Sequence, residues 1–377
     1  MKVMNSLMLA SMLVASNEAG AVDPYADNWG SNAPITLAVF GDWPYNNLLL
    51  NNAPLLINSI NGSSPKVNRV MHVGGIHSGS LPCTSYGILP TIADADPSWS
   101  LQVYRAFQSL NAPVVYTPGD NEWTDCQKTK QLSSGAPLNE LNALRTLFFA
   151  PTGKTLGYNS EKVSTQGFEK VWMHDFGFDP AFPTDAQFVE NVMWASHFFV
   201  FMSLNMPGSN NDTLPWAAPF SNPTAQAQEN SQRTAADIRW MHQAFAYANK
   251  LKLHGVVIGL QADMWDPAQV VAGGDGLSGY TSFVQALATE ALAFGKPVLL
   301  INGDSHVYGS DHPLADPSSA TGKIHKTPAV TNLTRITVQG STNAPASWLR
   351  LTIHPMYALP FTWENVAYCK DPLTTCQ

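Results

Sequence analysis

Apolar residues along this chain gather in short continuous runs, each closed by a polar turn. Six runs set the pattern: 35–40 before Gly41-Asp42, 67–73 before Gly74-Gly75, 114–117 before Gly119-Asp120-Asn121-Glu122, 197–204 before Asn205, 256–260 before Gln261-Ala262-Asp263, and 298–301 before Asn302-Gly303-Asp304-Ser305-His306. Runs this short, without alternation, predict strands buried on both faces. Between them the apolar spacing lengthens to the helical period over 98–110, 138–149, 234–251 and 280–294. Strand and helix alternate, which predicts an α/β fold whose ligands bind at the carboxyl ends of the strands, where the polar turns fall. After His306 the segments 334–338 and 348–353 alternate apolar and polar residues with no helix between them, which predicts a second, antiparallel sheet.

Residues 151–188 are rich in Gly, Asp, Phe and Pro and carry little periodicity. A loop of that length predicts an inserted, cap-like region with a function of its own, from which, with the loops near Trp216 and Trp265, a substrate lining would come. No repeat and no linker divides the chain, so residues 22–377 read as one domain. Residues 1–21 read as a signal peptide: Lys2, an apolar run over 7–15, and Ala19-Gly20-Ala21 as a cleavage site. No later stretch is long and apolar enough to span a membrane, and the mature protein is expected to be secreted, periplasmic or extracellular.

Charge is scarce, at 13% of residues against roughly 25% for ordinary soluble domains, while 45% are hydrophobic, which excludes a disordered chain. With 20 Lys and Arg against 28 Asp and Glu and no basic run, a phosphate-tracking nucleic-acid stripe is excluded as well. Four cysteines in an exported chain predict two disulfides with three possible connectivities. The spacing favours Cys369 with Cys376 across a turn-prone stretch, which leaves Cys83 with Cys126. Sequons at Asn61, Asn211 and Asn332 are glycan acceptors if the host is eukaryotic.

The strand ends carry the chemistry. Asp42, Asp120, Asn121, Gln261, Asp263, Asp304 and His306 offer oxygen and imidazole donors to one sheet edge, the ligand set a divalent cation requires. The blocks FGDWPY (40–45), HVGGIHSG (72–79), YTPGDNEW (116–123), QAD (261–263) and NGDSH (302–306) together resemble the calcineurin-like metallophosphoesterases. The likeness is to a secreted subfamily with GD-x-PY, TPGDNEWTDC and GD-[ST]-H blocks, and it covers roughly residues 35–355. It implies a β-sandwich of two mixed sheets flanked by helices in four layers. It also implies a two-metal centre that hydrolyses phosphomonoesters or diesters through a metal-activated hydroxide. By position, Asp42 and His306 would serve one metal, and Asp120 or Asn121, Gln261 and Asp304 the other. Asn121 is alternatively the stabiliser of the transition state. Mn, Mg, Ca, Fe and Zn are all open as the metal, with the hard, oxygen-binding cations favoured.

Three positions depart from the family pattern. The metal-bridging aspartate is Gly75, a D-x-H histidine is Pro44, and the histidine after the fifth strand is Gln261. The loss at Gly75 removes one ligand from both metals, and a Gly75→Asp change is expected to raise metal stoichiometry. His77, two residues on, would compensate as a nitrogen ligand or contact a phosphate, whereas His72 reads as core. Asn210-Asn211 would donate to a phosphoryl oxygen. The rival class is a non-catalytic phosphate- or glycan-binding protein on the same fold. A serine hydrolase is disfavoured because Val307 stands where the nucleophile elbow wants Gly, and a P-loop because Phe148 takes the place of its first Gly.

Overall fold

The computed structural model describes residues 30–83, 98–170 and 176–377; the expected signal peptide lies outside them. All six expected strands form: β1 (Ile35–Phe40), β2 (Arg69–His72), β3 (Val114–Tyr116), β6 (Phe199–Ser203), β7 (Gly255–Gly259) and β8 (Val298–Asn302). The shorter β4 (Ser164–Thr165), β5 (Val192–Ser196) and β9 (Gly309–Asp311), with β10 (Leu333–Thr337), β11 (Ala346–Ile353) and β12 (Phe361–Cys369), complete the described strands. They build a five-stranded sheet, β12-β11-β1-β2-β3, and a seven-stranded sheet, β4-β5-β6-β7-β8-β10-β9. Both are mixed. β1 lies parallel to β2 and antiparallel to β11, while β6, β7, β8 and β10 run parallel between antiparallel neighbours.

One apolar layer is shared by the two sheets: Leu37, Val39, Met71 and Val115 from the first pack with Val257, Leu299, Ile301 and Ile336 from the second. The outer face of the smaller sheet is covered by α1 (Ala53–Asn61), α2 (Trp99–Gln108) and α3 (Pro137–Phe148), which bury Leu56, Phe107, Leu144 and Phe148. The outer face of the larger sheet is covered by α4 (Pro223–Lys250) and α5 (Thr281–Phe294), which bury Trp240, Phe245, Phe283 and Leu287. The result is an α/β molecule with two mixed sheets between helical layers, so central strands such as β1, β7 and β8 are buried on both faces as their sequences require. Capping sets the helix starts. Ser98 accepts from the Leu101 amide, and Asn222 from the Ala225 amide with Pro223 in the first turn.

The segment after His306 corrects the expectation of a separate antiparallel sheet. β10 adds to β8 in parallel, and β11 crosses to the other sheet to pair with β1 and β12. Both choices satisfy backbone groups that β8 and β1 would otherwise leave unpaired at the edges. The described residues of 151–188 lie against the sheet edges. Leu156 exchanges two backbone hydrogen bonds with Val114 at the β3 edge, β4 pairs with β5, and Asp185 forms an ion pair with Arg239 of α4 at 2.6 Å. Their buried Leu156, Val163, Phe176 and Phe188 are the reason: apolar side chains dock this segment on the sheet edges.

Cys83–Cys126 and Cys369–Cys376 are both bonded. Among the described residues no helix is long and apolar enough to cross a membrane. Of the sequons, Asn211 is a correction. Its side chain is fully buried and its amide donates to Thr234 Oγ1 and the Gly279 carbonyl, both at 3.0 Å, which leaves no room for a glycan. The Asn332 amide is likewise used twice, on the Ala291 and Lys296 carbonyls, whereas the Asn61 side chain bridges to Asn111 and Ser109 near the surface.

Candidate functional site

The loops after β1, β2, β3, β6, β7 and β8 meet at one end of the sheets around a pocket of about 340 Å³. It is lined by Asp120, Asn121, Asp304 and His306 and also by Tyr45, Ser78, Ser80, Lys130, Ser209 and Asn210. Residues 269–277 complete the rim through Gln269, Asp275 and Leu277, and no described residue of 151–188 lines the pocket. Its size is that of a small-ligand site.

Asp42 leaves β1 with a φ of +49° and is fully buried. Its Oδ1 accepts from Tyr45 Oη at 2.8 Å and faces His306 Nε2 at 3.6 Å, and its Oδ2 accepts from the Asp304 amide at 2.9 Å. Burial raises its carboxyl, against the charge of His306. Asp304, at φ +73°, accepts from Gln261 Nε2 on Oδ1 at 3.0 Å and from the Asp263 amide on Oδ2 at 3.3 Å. Burial, then the neighbouring Asp120, pushes its carboxyl well above the usual range. Asp120 accepts from Gln261 Nε2 at 3.0 Å and from Ser209 Oγ at 3.1 Å. Burial, with Asp125 beside it, raises Asp120 to about 6 in spite of Lys128 and Lys130. Asp263 is different: Arg335 pairs with it directly.

Gln261 ties the acids together. Its Oε1, the only atom able to bind a cation, accepts from the Asp120 and Gly208 amides, while its Nε2 donates to Asp120 and Asp304 together. Gln261 is thus an amide clamp between two carboxylates. His77 is a correction. It is buried, lies outside the pocket lining, faces the Ser78 carbonyl through Nδ1, and is pushed by burial down to about 4. His72 is core, as its place in β2 suggests, with Nε2 on the Trp43 carbonyl. Asn121 lines the pocket and donates to Tyr45 Oη at 2.9 Å. Asn210 reaches the pocket; Asn211 does not.

Glu122, in the block Gly119-Asp120-Asn121-Glu122, ties two loops together. Its Oε1 accepts from the Gly75 and Gly119 amides and from Tyr116 Oη, and burial lifts it to about 7. Gly75 has a φ of +75°, and a Cβ there would run into the Asp42 carboxylate and lie 2.9 Å from Tyr45 Oη. Tyr45 and Asp42 therefore fill the space a side chain at Gly75 would need, and among the described residues no carboxylate enters the pocket from the β2 loop.

After β6 the chain makes a left-handed turn. Ser209, Asn210, Asn211 and Asp212 have φ values of +54°, +52°, +60° and +58°. This conformation costs non-glycine residues roughly 1–2 kcal/mol each, and Asn and Asp tolerate it best. The turn brings Ser209 Oγ to 2.7 Å from Asp125 Oδ1 and 2.8 Å from Lys128 Nζ. Gly208, at its start, leaves open a space that a Cβ would fill: that point is 2.6 and 2.8 Å from the Asp304 oxygens and 2.8 Å from Asp120 Oδ2.

The donor set can be tested against a metal on this geometry. Among the described residues, no three His, Cys, Asp or Glu side chains close on one point. Asp120 and Asp304, however, present three carboxylate oxygens to the space beside Gly208, and only neutral donors touch Asp304. That arrangement fits one hard cation and does not fit a carboxylate-bridged pair.

Sequence reasoning missed Lys130, Ser80 and the 269–277 rim, which carry no motif of their own, and did not single out Ser78 within the block HVGGIHSG. Tyr45 was in view, as the last residue of FGDWPY. No protein-family model matches the chain, and no curated protein matches it. Among solved structures it is similar to GAP50, the anchor in the inner membrane complex of Plasmodium, with a TM-score of 0.40 at 10% identity over 90% of each chain.

Proposed function

We propose that the protein is an exported phosphoesterase of the calcineurin-like type that uses one divalent cation to hydrolyse a phosphomonoester or diester in this pocket. The observation that carries the reading is the convergence of Asp120, Asp304 and His306 on one small pocket, with the buried Asp42 behind them bonded to the Asp304 amide and facing His306, all from the ends of three strands in two sheets. Asp120 and Asp304 would hold the cation beside Gly208. Bound there, it would neutralise their charge, polarise a phosphoryl oxygen and acidify water. Lys130, whose side chain is 53% exposed and lines the same pocket, would meet the remaining phosphate charge, with Asn121, Ser78 and Ser80 as neutral lining groups. His306 Nε2, backed by Asp42 and packed edge-on against Tyr45, passes a proton to the leaving oxygen.

The test is calorimetry of the purified mature chain with Mn²⁺, Mg²⁺, Ca²⁺ and Zn²⁺, followed by hydrolysis of aryl phosphate mono- and diesters with each. One cation per chain and turnover lost in Asp304→Asn are expected. No cation bound and no turnover under any condition would overturn the reading. The Gln261 clamp and Gly75 support a second reading, a non-catalytic phosphate- or glycan-binding protein. Phosphate binding without turnover would select it.

A further inference from the structure

We infer that Arg233, on α4 and outside the pocket, is the positioning residue that holds the left-handed turn in place and so keeps the space between Asp120 and Asp304 open. The inference deepens the one-cation reading and rests on it for its affinity readout.

Four consecutive left-handed residues do not persist on local preference. Ser209 is held from the β3 loop, Asn210 by the Gly279 amide and Asp212 by Trp216 and Gln226, while Asn211, inside the turn, and Asn205, before it, are both held by one buried side chain. Arg233 is fully buried, and its guanidinium spends three of its donor contacts on this segment: Nη1 on the Asn205 carbonyl at 3.2 Å and on Asn211 Oδ1, and Nη2 on the Asn211 carbonyl at 3.3 Å. Its Nε and Nη2 also meet Glu229 one turn earlier on α4, at 2.7 and 3.1 Å, which neutralises the charge. The same guanidinium lies 5.3 Å from the ring of Trp123, three residues after Asp120. One planar fork thus fixes the β6 loop and the β3 loop to a single helix, which a flexible ammonium cannot do. Asn230 and Thr234, flanking Arg233, add contacts to Asn211.

The turn in turn sets the site. Gly208 borders both carboxylates, and Ser209 bonds Asp120. If the turn relaxes to ordinary φ values, Ser209 leaves Asp120 and the backbone at Gly208 moves into the space between the two acids. Arg233 touches neither acid, so its effect on the cation runs through the turn.

Two variants test this. Arg233→Lys keeps the charge opposite Glu229 but loses the fork. The double change Glu229→Gln with Arg233→Met removes both charges of that pair together. Hydrogen exchange of the cation-free proteins is expected to speed at least tenfold at 208–213 and to stay unchanged in β7, β8 and α5. Affinity for Mg²⁺ or Ca²⁺ by calorimetry is expected to fall at least tenfold in both. A folded variant with wild-type exchange at 208–213 would overturn the inference, as would wild-type affinity in a variant whose turn does exchange faster. If the wild-type chain binds no cation, the proposed function fails, and the exchange comparison still decides whether Arg233 latches the turn.

Discussion

At the scale of single residues, the most telling position is Gly75. A glycine where the family pattern has an acid invites the idea of restoring that acid. The geometry says otherwise, because the φ of +75° disfavours any side chain and its Cβ would meet Asp42 and Tyr45. Gly75→Ala is expected to destabilise by about 2–4 kcal/mol, combining left-handed strain with overpacking. Gly75→Asp should likewise be destabilised and should bind no second cation. Urea unfolding and calorimetric stoichiometry check both; a second cation in Gly75→Asp would show that Asp42 and Tyr45 yield. Lys130 belongs to the same scale. It lines the pocket, it is partly exposed, and among the described residues its one ion pair is with Asp125 at 3.1 Å. Lys130→Ala should weaken binding of inorganic phosphate roughly tenfold, the loss of one charge-assisted contact, with little change in urea midpoint. Unchanged phosphate affinity would remove Lys130 from the binding role.

At the scale of elements, the loop that carries Ser78 and Ser80 is tied at Cys83 to Cys126, beside the Asp125 that receives Lys128 and Lys130. This disulfide closes a separation of 43 residues and borders the pocket; Cys369–Cys376 closes 7 and lies at the end of β12. Replacing Cys83 and Cys126 by Ser should cost about 2–4 kcal/mol and weaken phosphate binding. The same change at Cys369 and Cys376 should cost less and leave binding intact. Binding unaffected by the first pair would mean the wall holds its shape without the tether. Much of this architecture is legible in the sequence, for a physical reason: strands buried on both faces have no choice but to be continuous and apolar, as in β1 or β8. β12 was not legible, because it lies at a sheet edge and alternates half-buried with exposed residues. The first turns of α4 were not legible either, since residues 223–233 are mostly polar, and what marks the start is the Asn222 cap and Pro223. Within the site, the strand-end acids Asp42, Asp120 and Asp304 follow glycines in short motifs and could be read. Lys130, Ser209 and Arg233 join them only through contacts distant in sequence, and no local spacing announces such contacts.

At the scale of the whole molecule, buried acids set how stability depends on pH. Burial raises Glu122 to about 7 and Asp212 to about 8, the latter helped by Glu229 and opposed by its bond from Trp216. In the unfolded chain both carboxyls ionise near pH 4. From about pH 4 upward the folded protein therefore holds protons that the unfolded chain has already lost, and stability falls as pH rises until it has passed the folded values. Histidines act in the opposite sense but in another window. Burial pushes His72 and His77 down to about 3 and 4, so they add stability as pH rises toward 6.5 and nothing beyond it. Above pH 7 the acids act unopposed by them, with a slope of up to about 1.4 kcal/mol per pH unit for each proton retained. Urea midpoints of the cation-free protein should therefore fall steadily from pH 7 to 8.5. Asp212→Asn keeps an oxygen to accept from Trp216 Nε1 and removes the titrating group, so it should be more stable than the wild type at pH 8.5 and show a flatter profile. A wild-type profile that is level or rising across this window would mean that Asp212 is already ionised in the fold, with its charge met by Arg233 across the same network that holds the left-handed turn.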